Sequence, residues 1–193
     1  METYSFVQFG GPRREVHVAL YTNVTNGGEV RRRIVEAGTA GGVKFGYIDA
    51  RLITSRVHLQ TAIYQAMLAE AQDGLRTRTV HSEVIWALNP TNNITEGLRR
   101  YGVSAETSAV IVVSMDGAGE GQLGAGIAGT LTPLDALHGL TDWATVCKVR
   151  SITVLLLSTD WPAVSQAGGL AQRRGDRRGH RGRKERDDVM YPG

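Results

Sequence analysis

The sequence predicts a single α/β domain, with helices packed on a mixed β-sheet and a disordered basic tail at its C-terminal end. Three stretches carry that expectation. Ala109–Met115 is nearly all apolar and β-branched, as in a strand buried on both faces. Ser55–Asp73 holds the longest helical pattern, with Leu59, Ile63, Ala66 and Met67 along one side. From Gln172 onward the chain is rich in Arg, Gly and Asp with few apolar residues, too few to offset its ordering entropy. The boundary falls near residue 150, giving a folded domain over 1–150 and a divergent segment with its tail over 151–193.

Taken in order, Val16–Thr22 places Val16, Val18 and Leu20 on one face, the pattern of a half-buried strand. Gly27–Ala37 reads as a helix burying Val30, Ile34 and Val35, with Arg31–Arg33 as a solvated face. Gly38–Gly42 breaks the chain, and Phe45–Ile53 is strand-like with a turn at Asp49–Arg51. Asp73-Gly74 ends the long helix. Glu83–Leu88 is short, apolar and bounded by turn formers, which predicts a second strand ending at Asn89-Pro90. Asn93, three residues before Glu96, opens a helix with Ile94, Leu98 and Tyr101 on one stripe. Gly102 is expected to close it as a left-handed cap. Strand, helix, strand over 83–115 then suggests a crossover unit. Ile127–Thr132 reads as a short strand and Pro133–Leu137 as a helical turn. Thr141–Val149 reads as a helix capped by Thr141, with Trp143 turned inward.

Composition narrows the function classes. The formal charge is +3, but the last 22 residues hold eight basic and four acidic side chains. The remainder has 14 basic and 15 acidic residues, so the basic character belongs to the tail and gives no whole-domain nucleic-acid footprint. No apolar run approaches the roughly 20 residues of a membrane span, and no signal peptide is expected. The lone Cys147 excludes an internal disulfide.

Arg76-Thr-Arg-Thr-Val80, Ser82-Glu-Val-Ile85, Leu88-Asn-Pro-Thr-Asn-Asn-Ile94 and Tyr101-Gly-Val103 together resemble the signature of one family. It is the small EKC/KEOPS subunit that binds a PRPK-type kinase, the TPRKB-like proteins. The likeness runs from about Val16 to Lys148, so residues 1–150 are read as a TPRKB-like kinase-binding domain. Lys148-Val-Arg150 is what a lysine codon followed by an intron donor consensus would encode. The segment beyond is therefore read as a candidate intron read-through, which transcript sequencing decides.

The resemblance implies a non-catalytic subunit with no cofactor of its own. It implies binding to the kinase, support of the kinase's ATPase, and help in engaging tRNA for threonylcarbamoyl-adenosine formation. Another subunit, the transferase, performs the transfer. A telomere or transcription role and a nuclear and cytoplasmic location are also expected. Candidate tRNA-contacting residues are Arg76 and Arg78, which strand alternation would put on one face, and Arg99 and Arg100 at a helix C-terminus, where cations also complement the dipole. For Arg76 and Arg78 the competing expectation is a structural salt bridge.

Two other classes compete. Gly119, Gly121 and Gly124, and again Gly124, Gly126 and Gly129, match the dinucleotide fingerprint, so an enzyme using the Gly117–Gly129 loop is one alternative. The fingerprint needs a helix opening at once behind it, and none is predicted. A free-standing RNA-binding protein using the tail and Arg76/Arg78 is the other. No G-x-S-x-G, P-loop or Cys/His metal spacing occurs, and His58 and His81 lack partners at ligand spacing.

Overall fold

The computed structural model describes residues 1–9, 15–39, 44–115 and 122–149. The tail and the segment after Arg150, with the expectations placed on them, lie outside these residues.

The chain folds around strand β4, Val110–Ser114, in which every residue is buried. It runs antiparallel to β2, Glu15–Thr22, and to β3, Gly46–Asp49; β2 also pairs antiparallel with β1, Glu2–Ser5, and β5, Thr130–Thr132. The sheet order is β1-β2-β4-β3, and each pairing among the described residues is antiparallel. Alternation along β4 explains its composition. Ile111 and Val113 face the larger core with Val16, Val18, Leu20 and Ile48, while Val110 and Val112 face a smaller one with Ala19 and Val30. A strand with apolar cover on both faces favours an unbroken apolar run, from which only the terminal Ser114 of β4 departs.

Helix α1, Gly27–Thr39, supplies Val30 to the smaller core. Val35, expected inside, is 59 % exposed. After β3 a 3-10 turn, Ala50–Leu52, leads to α2, Arg56–Ala71, the helix expected over Ser55–Asp73, whose N-cap Ser55 accepts from the His58 amide. Helices α3, Val80–Leu88, and α4, Ile94–Tyr101, follow. The expected strand Glu83–Leu88 is therefore a helix, and the crossover unit built on it does not exist. Thr79 caps α3 by accepting from the Ser82 amide, and Val80, Val84 and Leu88 at i, i+4, i+8 are buried. This helical period prevails over the strand propensity of a short apolar run, because α2 and the sheet cover that stripe.

Asn93 caps α4 by accepting from the Glu96 amide, as read. Tyr101 is buried, but Leu98 is 48 % exposed. Gly102 is extended (φ −74°, ψ 153°), not left-handed. Glycine is required there for a different reason: a Cβ would collide with the Leu98 carbonyl oxygen, which accepts the Gly102 amide. Gly102→Ala is expected to cost about 2 kcal/mol in urea unfolding, within the range of backbone-clash substitutions. An unchanged midpoint would show that the helix end relaxes freely.

The chain closes with a 3-10 turn at Leu134–Ala136, α5 at Leu137–Leu140 and α6 at Trp143–Val149. Thr141 is not the cap of α6. Its buried hydroxyl lies 2.7 Å from the Ile53 carbonyl oxygen and 2.9 Å from that of Leu137. Asp142 does the capping, accepting from the Thr145 amide at 3.0 Å. The Thr145 hydroxyl and amide hold the Asp142 carboxyl below the usual range. Trp143 is 46 % exposed rather than inward.

Candidate functional site

The loop between α2 and α3 is built on one buried carboxylate. Glu83, in the first turn of α3, is 1 % exposed. Its Oε2 accepts from the Arg76 amide at 3.0 Å, the Thr77 amide at 2.9 Å and the Thr77 hydroxyl at 2.8 Å. Two backbone donors of an irregular segment thus find an acceptor on the next helix. This carboxylate, the first residue of the expected strand Glu83–Leu88, is the organising group of the loop. The Thr79-x-x-Ser82 cap was the available sequence signal for the helix that carries it.

Clamping the backbone aims the Arg76 side chain. Its guanidinium carbon lies 4.3 Å from the centroid of the Trp86 ring, and its Nη1 lies 3.7 Å from Glu83 Oε1. The side chain remains 59 % exposed. Arg76 and Trp86 line a groove of about 350 Å³ with Asn92 and Ile94. A flat cation beside an indole is a surface on which a nucleobase can stack.

Arg78 lines another groove, with Thr79, His81, Ser82, Ile85 and Leu98. The expected shared face of Arg76 and Arg78 rested on strand alternation, and no strand is present there. Arg99 and Arg100 lie in the last turn of α4 as expected. They line a third groove with Arg51, Asp142, Thr145 and Lys148. Arg100 is committed locally: it pairs with Glu96 and donates to Asn89 Oδ1 at 3.1 Å. Arg51 is held by Asp49, Nε at 3.0 Å and Nη2 at 2.7 Å, and that hydrogen bonding raises its pKa above the ordinary arginine value.

The glycine loop is not shaped for a pyrophosphate over its described part. Gly119 and Gly121 lie outside the described residues. Gly124 and Gly126 have positive φ (78° and 84°), and a Cβ on them would strike the Tyr21 ring and the Arg33 guanidinium. The loop is pinned there. The Tyr21 hydroxyl donates to the Leu123 carbonyl at 2.9 Å, and the Asn26 side chain donates to the Gly126 carbonyl at 2.9 Å. Strand β5 follows, so no helix N-terminus opens behind the glycines. Over residues 122–129 the loop is therefore a packed one. Among the described residues no group of three or more His, Cys, Asp or Glu could hold a metal ion, and no helix is long and apolar enough to cross a membrane.

Residues 21–179 match the family described as Kinase binding protein CGI-121. The chain belongs to the CGI-121 family. The match takes in the Arg76–Glu83 loop, α3 and α4, and it continues past Lys148. Among curated relatives, the EKC/KEOPS complex subunit CGI121 of Kluyveromyces lactis is 39% identical over 100 residues, 52% of this chain and 60% of that protein. The corresponding subunit of Aspergillus terreus is 32% identical over 149 residues, 72% of this chain and 75% of that protein. That of Cryptococcus neoformans is 28% identical over 203 aligned residues, 80% of this chain and 89% of that protein. The TPRKB-like resemblance read from the central motif is thereby shown to be a family relationship.

Proposed function

We propose that this chain is the CGI121 subunit of an EKC/KEOPS complex, a non-catalytic protein that binds the complex's PRPK-type kinase and supports its ATPase. What carries the reading is the match to a kinase-binding family over residues 21–179, with relatives named as subunits of that complex. On this reading the partners are the kinase directly and the threonylcarbamoyl transferase indirectly. The pathway is threonylcarbamoyl-adenosine formation on tRNA. The expected locations are nucleus and cytoplasm, with a further role at telomeres or in transcription. Immunoprecipitation of the tagged chain from its own cells should recover the kinase and the transferase together. Recovery of neither would overturn the reading.

We further propose that the subunit helps engage tRNA through Arg76 on Trp86, with Arg78, Arg99 and Arg100 contributing charge. The exposed guanidinium beside the indole supports this, since unpaired RNA bases are commonly held on such surfaces. A double variant, Arg76→Gln with Arg78→Gln, should fold and keep the kinase. Its tRNA affinity should fall about tenfold and its salt slope by about 1 for each phosphate contact removed. An unchanged affinity and slope in a filter-binding salt series would make both residues structural.

A further inference from the structure

Among the described residues, strand β3 is the outer strand of the sheet, paired with β4 alone. The register determines which of its backbone groups are used. The Ala50 amide donates to the Ala109 carbonyl at 3.0 Å, just beyond the Asp49–Val110 pair. In an antiparallel ladder, hydrogen-bonded pairs alternate, so Ile48 with Ile111 and Gly46 with Val113 are the bonded pairs. The N–H and C=O of Tyr47 therefore point away from β4, and no backbone partner meets them among the described residues. Gly46 and Asp49 are buried, so the open part of this edge is the half-buried pair Phe45 and Tyr47.

A groove of about 560 Å³ runs along that edge. Helix α1 walls one side with Ile34 and Val35, and α3 and α4 wall the other with Ile85 and Leu98. Val35 and Leu98 are the two side chains whose periodicity assigns them to buried stripes and whose observed positions are open (59 % and 48 % exposed). Both line this one groove. Charge is one-sided as well. Arg78 lines it, while Arg33 and Lys44 line the adjoining hollow that shares Ile34, Phe45 and Tyr47. Among the described residues no carboxylate lines either space, and of these three cations only Arg33 has an acidic partner there, Glu29.

We propose that this edge takes a short extended segment of a partner protein by strand addition, its main chain pairing with Tyr47, its successive side chains meeting the Val35 wall and the Leu98 wall in turn, and acidic residues meeting Lys44 and Arg78. Main-chain bonds to an open edge give affinity in this mode, and the flanking walls give side-chain preference. This goes beyond kinase binding and does not depend on it. An open apolar edge left uncovered is an aggregation hazard, a further reason to expect a cover.

The probe is an acetylated, amidated heptapeptide alternating valine and threonine, with glutamate at each end. It is titrated into the full ¹⁵N-labelled chain. Saturable binding should shift the Tyr47 amide and slow its hydrogen exchange about tenfold, as for any amide entering a ladder. N-methylation of one set of alternate peptide amides, lysine in place of the end glutamates, or Leu98→Asp with an unchanged melting temperature should each weaken binding about tenfold. No response up to about 1 mM, where the binding free energy would be only about −4 kcal/mol, overturns the proposal. Equal binding by both N-methylated forms overturns it too. Protection of Tyr47 that instead follows the chain's own concentration assigns the edge to a second copy. Protection by a uridine oligonucleotide in place of the peptide assigns it to RNA.

Discussion

Glu83→Ala should lower stability by about 3 kcal/mol. The change removes the acceptor of two backbone amides and one hydroxyl, each worth about 1–3 kcal/mol when left unpaired. The lower part of that sum applies, because Arg76 is exposed and water can reach part of the opened loop. The melting temperature should drop by about 10 °C, at about 2–4 °C per kcal/mol for a chain of this size. Glu83→Gln should cost about half as much, since the amide keeps an acceptor but loses the charge that strengthens these bonds. Arg76→Ala should cost less than about 1.5 kcal/mol, because the guanidinium end of the pair is half-exposed and 3.7 Å from Glu83, and the backbone amides of residues 76 and 77 still hold the buried carboxylate. That ordering, Ala worse than Gln and both distinct from the arginine variant, is read by thermal and urea unfolding. If Glu83→Ala melts with the parent, the loop is held by something other than this carboxylate.

Asp49→Ala should be comparably damaging, by about 3 kcal/mol, for a related reason at the other end of the sheet. Asp49 is 1 % exposed and accepts from the Arg51 amide at 2.9 Å, the Arg51 guanidinium, and the Thr107 hydroxyl at 2.7 Å. It joins the end of β3 to the 3-10 turn behind it and to the loop that feeds β4. Thr107 is itself buried and accepts from the Ser104 amide at 2.9 Å, so losing Asp49 removes its 2.7 Å acceptor and leaves only the longer 3.2 Å contact with the Ser104 hydroxyl. The penalty should persist in about 0.5 M salt, where surface pairs are screened. Arg51→Ala should cost clearly less, because its side chain is 46 % exposed. A penalty for Asp49→Ala that vanishes with salt would mean that the carboxylate acts through a solvated pair alone.

The legible parts of the fold are those where one local signal meets no competitor. Alternation in Val16–Leu20, the apolar β-branched run of β4, the long helix within Ser55–Asp73 and the Asn93 cap all survive. Val80–Leu88 is the instructive failure. Its residue types favour a strand, its i, i+4 spacing favours a helix, and only the covering surface of α2 and the sheet decides between them. Once that element is misread, the shared face of Arg76 and Arg78 goes with it. Gly102 shows the opposite case: the required residue is foreseen, but the reason lies in the Leu98 carbonyl and not in a positive φ. Glu83 could not be singled out, since the donors it satisfies belong to an irregular loop with no period. Trp86 becomes interesting only because the clamp swings Arg76 over it. The four candidate arginines were individually visible as cations; their distribution over separate grooves is a property of the helix packing.

The most direct measurement is a calorimetric titration of the purified full chain into the purified kinase of its own complex. The account predicts saturable binding near one to one, with a negative heat-capacity change from apolar burial. It also predicts that Leu98→Asp, outside the Arg76–Glu83 loop, still folds. A flat titration with a kinase that is folded and binds nucleotide would contradict the account at its centre.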